Sequence, residues 1–292
     1  MLARRHITSL PDPDLRAVLL ALADTVDPSR WCPTIPQESA LAGMESFLST
    51  PGGGLGLLTG DHGTGKSLLV AMLAARAAGS GSTVAVIETG LLGFEDLLLE
   101  LSSQLAGARH AASGGSGLYD RLALFKNTLV ETVIQRGRQL TIFFDEADSI
   151  ETQALARIAS LSNLRSAGRD HVTSVLVGSG ALPRKLAACP SAASRIGTAV
   201  HIEPLTSQQA SQYVTDRLAA GSIDAGAVFE TDALDRIHAI AGGAARRIDS
   251  VCRGASRAAL PQRRRINLDD LAAASGALPD VVSDRSAVAF GR

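Results

Sequence analysis

Apolar positions along this chain follow two rhythms, and the change of rhythm divides it. Between residues 55 and 202, short continuous apolar runs alternate with longer stretches in which apolar residues return every three or four positions. The runs at 55–59, 83–88, 140–144, 174–178 and 199–202 are too short for helices and are bounded by turn-forming or charged residues, so they predict buried strands. Between them the spacing predicts helices over 68–78, 94–105, 119–136, 151–167 and 183–188. Strands apolar on both faces that alternate with helices predict a parallel α/β sheet with helices on both sides.

After Pro204 the strand pattern stops. Helical spacing covers 207–220, 231–241, 244–260 and 268–274, with Asp232 and Asp269 near helix starts, where a carboxylate suits the dipole. Before the sheet region, Leu15, Val18, Leu19 and Leu22 predict a helix over 12–28. A loop with Trp31, Pro33 and Pro36 follows, then a short helix over 39–49 and a Pro-Gly-Gly-Gly breaker from Pro51. The Gly/Ala/Ser-rich stretch 107–117 reads as a flexible loop, and 276–292 loses all periodicity. The expected organisation is an N-terminal helical extension over 1–30, an α/β core over 31–205, a small all-α lid over 206–275 and a disordered tail over 276–292.

Composition narrows the function classes. Hydrophobic residues make up 46% of the 292, which is the composition of a globular protein. The formal net charge of −1 gives no global pull toward nucleic acid or membrane. Cys32, Cys189 and Cys252 are widely spaced and odd in number, which fits a reducing compartment better than a disulfide framework. Pro11-Asp-Pro-Asp interrupts the N-terminal segment before any export-type apolar region, and no run approaches the ~18 apolar residues of a membrane span. The expected compartment is therefore the cytoplasm, with no membrane span. His62, His110, His171 and His201 show no metal-ligand spacing.

Two motifs carry chemistry. The first, Gly60-Asp61-His62-Gly63-Thr64-Gly65-Lys66-Ser67, fits the phosphate-binding loop pattern G-x-x-x-x-G-K-[ST] and lies between a predicted strand and a predicted helix. Its glycines let backbone N–H groups curl around a phosphate, Lys66 reaches the β and γ oxygens, and Ser67 offers a hydroxyl to Mg²⁺. The helix starting here adds its positive end, which brings in Leu68. The second motif is LTIFFDEAD over 140–148, an apolar strand running into two carboxylates. Asp145 is placed to hold the metal and Glu146 to orient or deprotonate a water. A plainer reading makes Asp148 or Ser149 the N-cap of the next helix. Ser179, in Gly-Ser-Gly after the fourth strand, is a candidate for the polar group beside the γ-phosphate, or it is part of an ordinary turn.

In order along the chain, LLTGDHGTGKS, IFFDEAD, LSNLRSAG, SVLVGSGALPRKLA, SRIGTAVHIEPLTSQQASQYVTDRL, AGGAARRIDSVCRGA and QRRRINLDDL resemble AAA+ ATPases of the ExeA/GspA group. Those are the ATPases linked to type II secretion and pilus assembly, and the resemblance spans residues 31–275. It implies a P-loop NTPase fold with a helical lid, ATP and Mg²⁺ as cofactors, and ATP hydrolysis that drives a conformational change in a partner or a homo-oligomeric assembly. It also implies that Arg195, in Ser-Arg-Ile, is an arginine finger for a neighbouring subunit and that Arg246 is a lid arginine contacting the nucleotide. Family members typically carry Gln-Pro where this chain has Ser179-Gly180, and Gly-Gly-x-Pro-Arg where it has Gly242-Gly-Ala-Ala-Arg246.

Two alternatives stay open. Relatives working at the cell envelope usually continue into a membrane span and a wall-binding region, whereas this sequence stops after the lid. A stand-alone transposition-type regulator on DNA, or a nucleotide-controlled switch or scaffold with little turnover, would also suit it. Arg246, Arg247, Arg253, Arg257, Arg263, Arg264 and Arg265 could track DNA phosphates, but a solvated helical face explains them as well. DNA is thus a possible but not the favoured partner, and the sequence names no protein partner.

Overall fold

The computed structural model describes residues 14–50, 54–90, 92–107, 117–162, 164–166 and 168–278. Most of the predicted loop at 107–117 and of the predicted tail at 276–292 lies outside the described residues. In chain order the elements are α1 (Leu15–Ala21), α2 (Ile35–Leu48), β1 (Gly54–Gly60), α3 (Lys66–Gly79), β2 (Thr83–Glu88), α4 (Phe94–Ala106), α5 (Leu118–Leu129), β3 (Leu140–Asp145) and α6 (Thr152–Leu161). They continue with β4 (Arg165–Ser166), β5 (Arg169–Asp170), β6 (Val172–Gly178), α7 (Leu182–Ala187), α8 (Pro190–Ala193) and β7 (Ile196–Ile202). Five further helices follow: α9 (Ser207–Ala220), α10 (Ala225–Val228), α11 (Thr231–Ala241), α12 (Ala245–Ala259) and α13 (Leu268–Gly276). The chain divides into two compact units, one built from residues 26–31 and 36–203, the other from described residues of 14–25, 32–35 and 204–278.

In the first unit, β2, β3, β6, β1 and β7 form one five-stranded sheet in that order, with every neighbouring pair parallel. Successive side chains of a strand point to opposite faces, and here both faces are dry. Leu58, Phe143, Val175 and Val177 pack with Met44 of α2 and Leu69 and Leu73 of α3. Leu57, Ile87, Ile142, Phe144 and Leu176 pack on the other side with Leu98 of α4, Phe125 of α5 and Leu155 and Ile158 of α6. This two-sided burial is why the strands read as unbroken apolar runs. At the β2 edge, Gln104 of α4 turns its amide onto one peptide. Its Nε2 donates to the Val86 carbonyl at 3.0 Å and its Oε1 accepts from the Val86 N–H at 3.3 Å. A side chain thus occupies hydrogen-bonding groups that an edge strand would otherwise offer to another chain.

Several elements differ from the pattern-based expectation. Helix α2 begins at Ile35 and not near residue 39, because Pro36 falls in its first turn, where a missing N–H costs nothing. The expected helix over 119–136 is α5 followed by a π-helical turn, Val130–Ile134. The one expected over 151–167 stops at Leu161, and the antiparallel pair β4–β5 follows. Strands β6 and β7 start earlier than expected, at Val172 and Ile196.

The second unit is helical. Its core gathers Val18 and Leu22 of the α1 segment with Val214 and Leu218 of α9, Ile237 of α11, Ile248 and Val251 of α12 and Leu271 of α13. Reciprocal capping boxes start α9 (Thr206 with Gln209) and α13 (Asn267 with Asp270). Helix α1 is shorter than the expected 12–28. It starts with the Asp14 carboxylate accepting from the Arg16 N–H at 3.1 Å. At its far end the buried Arg217 donates to the carbonyls of Ala21 (2.9 Å) and Ala23 (2.6 Å). The same guanidinium reaches the Tyr213 hydroxyl at 3.0 Å and Asp249 at 3.5 Å, and Tyr213 donates to Asp249 at 3.0 Å. Burial pushes the Asp249 carboxyl up to about 7, against the pull of Arg217, Tyr213 and Arg253. No helix among the described residues is long and apolar enough to cross a membrane.

Candidate functional site

Strand β1 ends at Gly60 and α3 starts at Lys66, so the glycine-rich motif is the turn that joins a buried strand to a helix. Thr64 ties the turn by donating from its N–H (3.3 Å) and its hydroxyl (2.8 Å) to the Asp61 carbonyl. Gly65 has φ +96, a conformation that side chains resist, and a Cβ there would sit 2.2 Å from Gln37 Nε2. Lys66 Nζ donates to the carbonyls of Gly60 (2.7 Å) and Asp61 (2.9 Å), so the ammonium lies across the start of the loop. His62 is exposed, while Asp61, Gly63, Ser67 and Leu68 are half-buried. Gly65 is the N-cap of α3 and brings no side chain to it. An uncapped helix start, approached by a loop of this kind, presents N–H groups suited to an anion.

At the end of β3, Asp145 is buried and its Oδ1 accepts from the Glu146 N–H at 2.9 Å. Its carbonyl accepts from the N–H (3.1 Å) and the hydroxyl (2.7 Å) of Thr89, the residue that follows β2. Glu146 has φ 56, left-handed backbone for a residue with a full side chain. Such strain persists only where the surroundings hold it. Here the Glu146 carbonyl accepts from the Ser149 N–H (3.0 Å) and hydroxyl (2.8 Å). Its carboxylate turns toward the loop after β2, with Oε2 3.2 Å from where a Cβ on Gly90 would stand.

Asp148 does not cap a helix. Helix α6 starts at Thr152 with Glu151 as its N-cap, and neither Asp148 nor Ser149 serves it. Instead Asp148 accepts the Ser179 N–H on Oδ2 (2.6 Å) and the Ser179 hydroxyl on Oδ1 (3.0 Å). The Ser179 oxygen in turn accepts from the Ala181 N–H at 3.1 Å. Ser179 thus sits directly beyond β6 with its hydroxyl proton directed at a carboxylate. Lys185 Nζ fixes the same corner by donating to the Asp148 carbonyl at 2.7 Å.

Since β1, β3 and β6 are parallel and adjacent, Gly60–Ser67, Asp145–Glu146 and Ser179 all emerge at the carboxyl ends of neighbouring strands, where open α/β sheets bind ligands. Arg195 does not join them. It precedes β7, whose first residue pairs with Leu55 while Gly60 pairs with Ile202. Arg195 therefore stands at the opposite, amino-terminal end of the strands, about 17 Å of strand away from Gly60. Its guanidinium donates to Ser160 Oγ at 3.4 Å. Arg246, in the first turn of α12, belongs to the helical unit and pairs there with Asp24 at 2.8 Å. The other lid arginines are partly engaged. Arg247 donates to Ser275, Arg253 to the Asp249 carbonyl, and Arg264 to both oxygens of Asp270.

Sequence reasoning passed over Gln37, Trp31 and Thr89. Gln37 and Trp31 lie in a stretch read as loop because of its prolines, and the loop carbonyl that Gln37 reaches, that of Thr64, is 27 residues downstream. No local pattern marks them. Thr89 follows a strand, and its proximity to Asp145 appears only once β2 and β3 are paired.

Residues 50–186 match a family described as the AAA domain. The General secretion pathway protein A of Aeromonas hydrophila is 29% identical over 204 residues, 69% of this chain and 36% of that protein, so the chain corresponds to only part of that relative's length. Among solved structures, Cdc6p from Pyrobaculum aerophilum is similar at a TM-score of 0.70 and 21% identity, covering 88% of this chain and 70% of that one. The Aeropyrum pernix ORC2 protein, solved as ADPNP–ADP complexes, gives 0.61 and 22%, covering 82% and 66%. At such identities these structures bear on the fold alone.

Proposed function

From an AAA domain over residues 50–186 and an AAA+ fold of the ORC/Cdc6 kind, we propose that this chain binds ATP with Mg²⁺ and hydrolyses it. The product is then a conformational change passed to a partner or assembly, as in an ExeA-like ATPase. The observation that carries the reading is the emergence of the glycine loop, the Asp145–Glu146 pair and Ser179 at the carboxyl ends of three adjacent parallel strands.

The residues suit the groups this reading requires. The uncapped start of α3 and the loop N–H groups from Gly60 to Leu68 suit phosphate oxygens, with Lys66 supplying positive charge to the β and γ positions. Among the described residues no three His, Cys, Asp or Glu side chains come together as a metal cage. Mg²⁺ commonly takes one or two protein oxygens plus substrate phosphates, and Ser67 and Asp145 are the residues that would hold it. When bound, Mg²⁺ neutralises charge on the β and γ oxygens. Glu146 orients the attacking water and accepts its proton. Ser179 senses the γ-phosphate, for which its hydroxyl must turn from Asp148. Arg246 contacts the nucleotide from the lid, for which it must leave Asp24.

Arg195 acts, in this proposal, on the nucleotide of a second copy, which makes the active form a homo-oligomer. Its position at the amino-terminal end of the strands, a strand's length from its own loop, supports that assignment. Three buried free cysteines fit a reducing compartment such as the cytoplasm.

The test uses two variants. Lys66→Ala should lose most affinity for a fluorescent ATP analogue while remaining folded, because, of the chain's other lysines, Lys126 lies on α5 and Lys185 is held by the Asp148 carbonyl. Glu146→Gln should bind ATP·Mg²⁺ like the parent and hydrolyse it far more slowly. Unchanged binding by Lys66→Ala would sink the loop assignment. A parent without turnover would leave the chain a nucleotide-controlled switch.

A further inference from the structure

The most buried side-chain amide beside the loop has no part in the chemistry above. Gln37, in the first turn of α2, is 5% exposed. Its Nε2 donates to the Thr64 carbonyl at 2.9 Å, and its Oε1 accepts from the indole N–H of Trp31 at 3.3 Å. An indole N–H can only donate, so it fixes which end of the amide is oxygen and which is nitrogen. The nitrogen is thereby aimed at the loop. The absence of a Cβ on Gly65 lets it approach, since that Cβ would stand 2.2 Å from Nε2.

A hydrogen bond to this carbonyl does more than tether it. In a planar trans peptide the C=O and the N–H point in opposite directions. A donor that holds the Thr64 carbonyl on the α2 side therefore holds the Gly65 N–H on the other side. Glycine tolerates both signs of φ, so without that donor the Thr64–Gly65 peptide could turn over at little cost. A turned peptide would offer an anion a carbonyl oxygen where a cradle needs an N–H.

Resting on the nucleotide-binding reading above, we infer that Gln37, oriented by Trp31, is a positioning residue that locks the Thr64–Gly65 peptide in its phosphate-binding orientation. The lock acts on a contact made alike by bound substrate and transition state, so its loss should weaken binding and spare turnover at saturation. A hydrogen bond to a charged group is worth enough that losing one N–H contact should reduce affinity on the order of 10- to 100-fold. Trp31 is the chain's single tryptophan, so its emission reports on the same relay.

The experiment titrates parent, Gln37→Met, Trp31→Phe and the double variant with ATP·Mg²⁺ and with ADP. Lys66→Ala serves as the loop control. Gln37→Met keeps the side-chain length and removes the donor. It should bind both nucleotides about 10- to 100-fold more weakly, with kcat close to the parent's and KM raised. Trp31→Phe should lose less, and should add nothing in the Gln37→Met background. ATP should change Trp31 emission in the parent and, at saturation, change it less in Gln37→Met. A residue that only packs would lower the melting midpoint and leave the affinity of the folded protein alone. Gln37→Met binding within about twofold of the parent, while Lys66→Ala binds poorly, would overturn the inference and leave the nucleotide-binding reading intact; so would losses from the two single variants that simply multiply. A parent that binds no nucleotide would remove both.

Discussion

Asp249 should make the helical unit more stable in mild acid than in mild base, the reverse of what a salt-bridged carboxylate does. Its carboxyl is buried, with Tyr213 and Arg217 of α9, Arg253 of its own helix and Asp24 beyond α1 as its charged or polar surroundings. Burial dominates and pushes it up to about 7, from an ordinary value of 3.8. A carboxyl that is a weaker acid folded than unfolded binds its proton preferentially in the folded state. It therefore stabilises fully below the unfolded value, and that contribution is lost as pH rises through about 7. Between pH 8 and pH 5.5 the gain from this one group works out at about 2 kcal/mol.

The assay is urea unfolding of the helical unit at those two pH values, read by thiol labelling of Cys252, which is fully buried there. Asp249→Asn should flatten the dependence. Arg217→Met should cost about 3–5 kcal/mol at pH 8, since it strands a buried carboxylate and leaves the Ala21 and Ala23 carbonyls without their donor. Up to about 1.4 kcal/mol of that cost should disappear at pH 5.5, where Asp249 is protonated with or without its partner, while the loss of the donor to the Ala21 and Ala23 carbonyls stays at both pH values. Equal pH dependence in the parent and in Asp249→Asn would refute the reasoning.

What the sequence discloses here depends on how far apart the partners lie. The loop between β1 and α3 is legible because binding a phosphate with backbone N–H groups needs a contiguous run of residues. The apolar run into Asp145 and Glu146 is legible because a central parallel strand is apolar on both faces. Pro36 misleads, since a proline ends a helix in most positions and is welcome only in the first turn. Asp148 is visible as an acid near a helix start, but its partner Ser179 is 31 residues away and arrives only when β6 lies beside β3. Asp249 reads as one acid diluting a run of arginines. That it is buried against Arg217 depends on α9 and α12 meeting in a core, which periodicity predicts only as apolar faces without saying which faces pair. The separation of Arg195 from the glycine loop follows from strand direction and register, and neither is written locally.

Gly65→Ala combines a left-handed backbone penalty of about 1 kcal/mol with displacement of Gln37, and nucleotide titration should show more than a tenfold loss; parent-like binding would count against the close approach. Arg195→Ala should lose on the order of 10³–10⁵ in turnover where a trans arginine operates, and mixing it with Lys66→Ala should restore activity at mixed interfaces. Activity indifferent to mixing and to protein concentration would exclude that role. For DNA, part of the arginine run is already engaged: Arg246 and Arg264 are paired with carboxylates, and two more arginines are tied to neutral groups of their own unit. Arg264 is held by both oxygens of Asp270, the residue that also closes the capping box of α13, and Arg247 and Arg253 donate within their own unit. Each phosphate neutralised steepens the salt dependence by about 0.9 in log–log slope, so a subunit with few available arginines should bind duplex DNA weakly at physiological salt. Arg263→Gln with Arg265→Gln, leaving Arg264 to its structural pair, should weaken any low-salt binding equally for all sequences and flatten the slope by up to about 2. Mobility shifts with ATP at two salt concentrations decide the matter. Tight, steeply salt-dependent binding that this double variant abolishes would put the arginine face on DNA and make the transposition-type regulator the better reading of the chain.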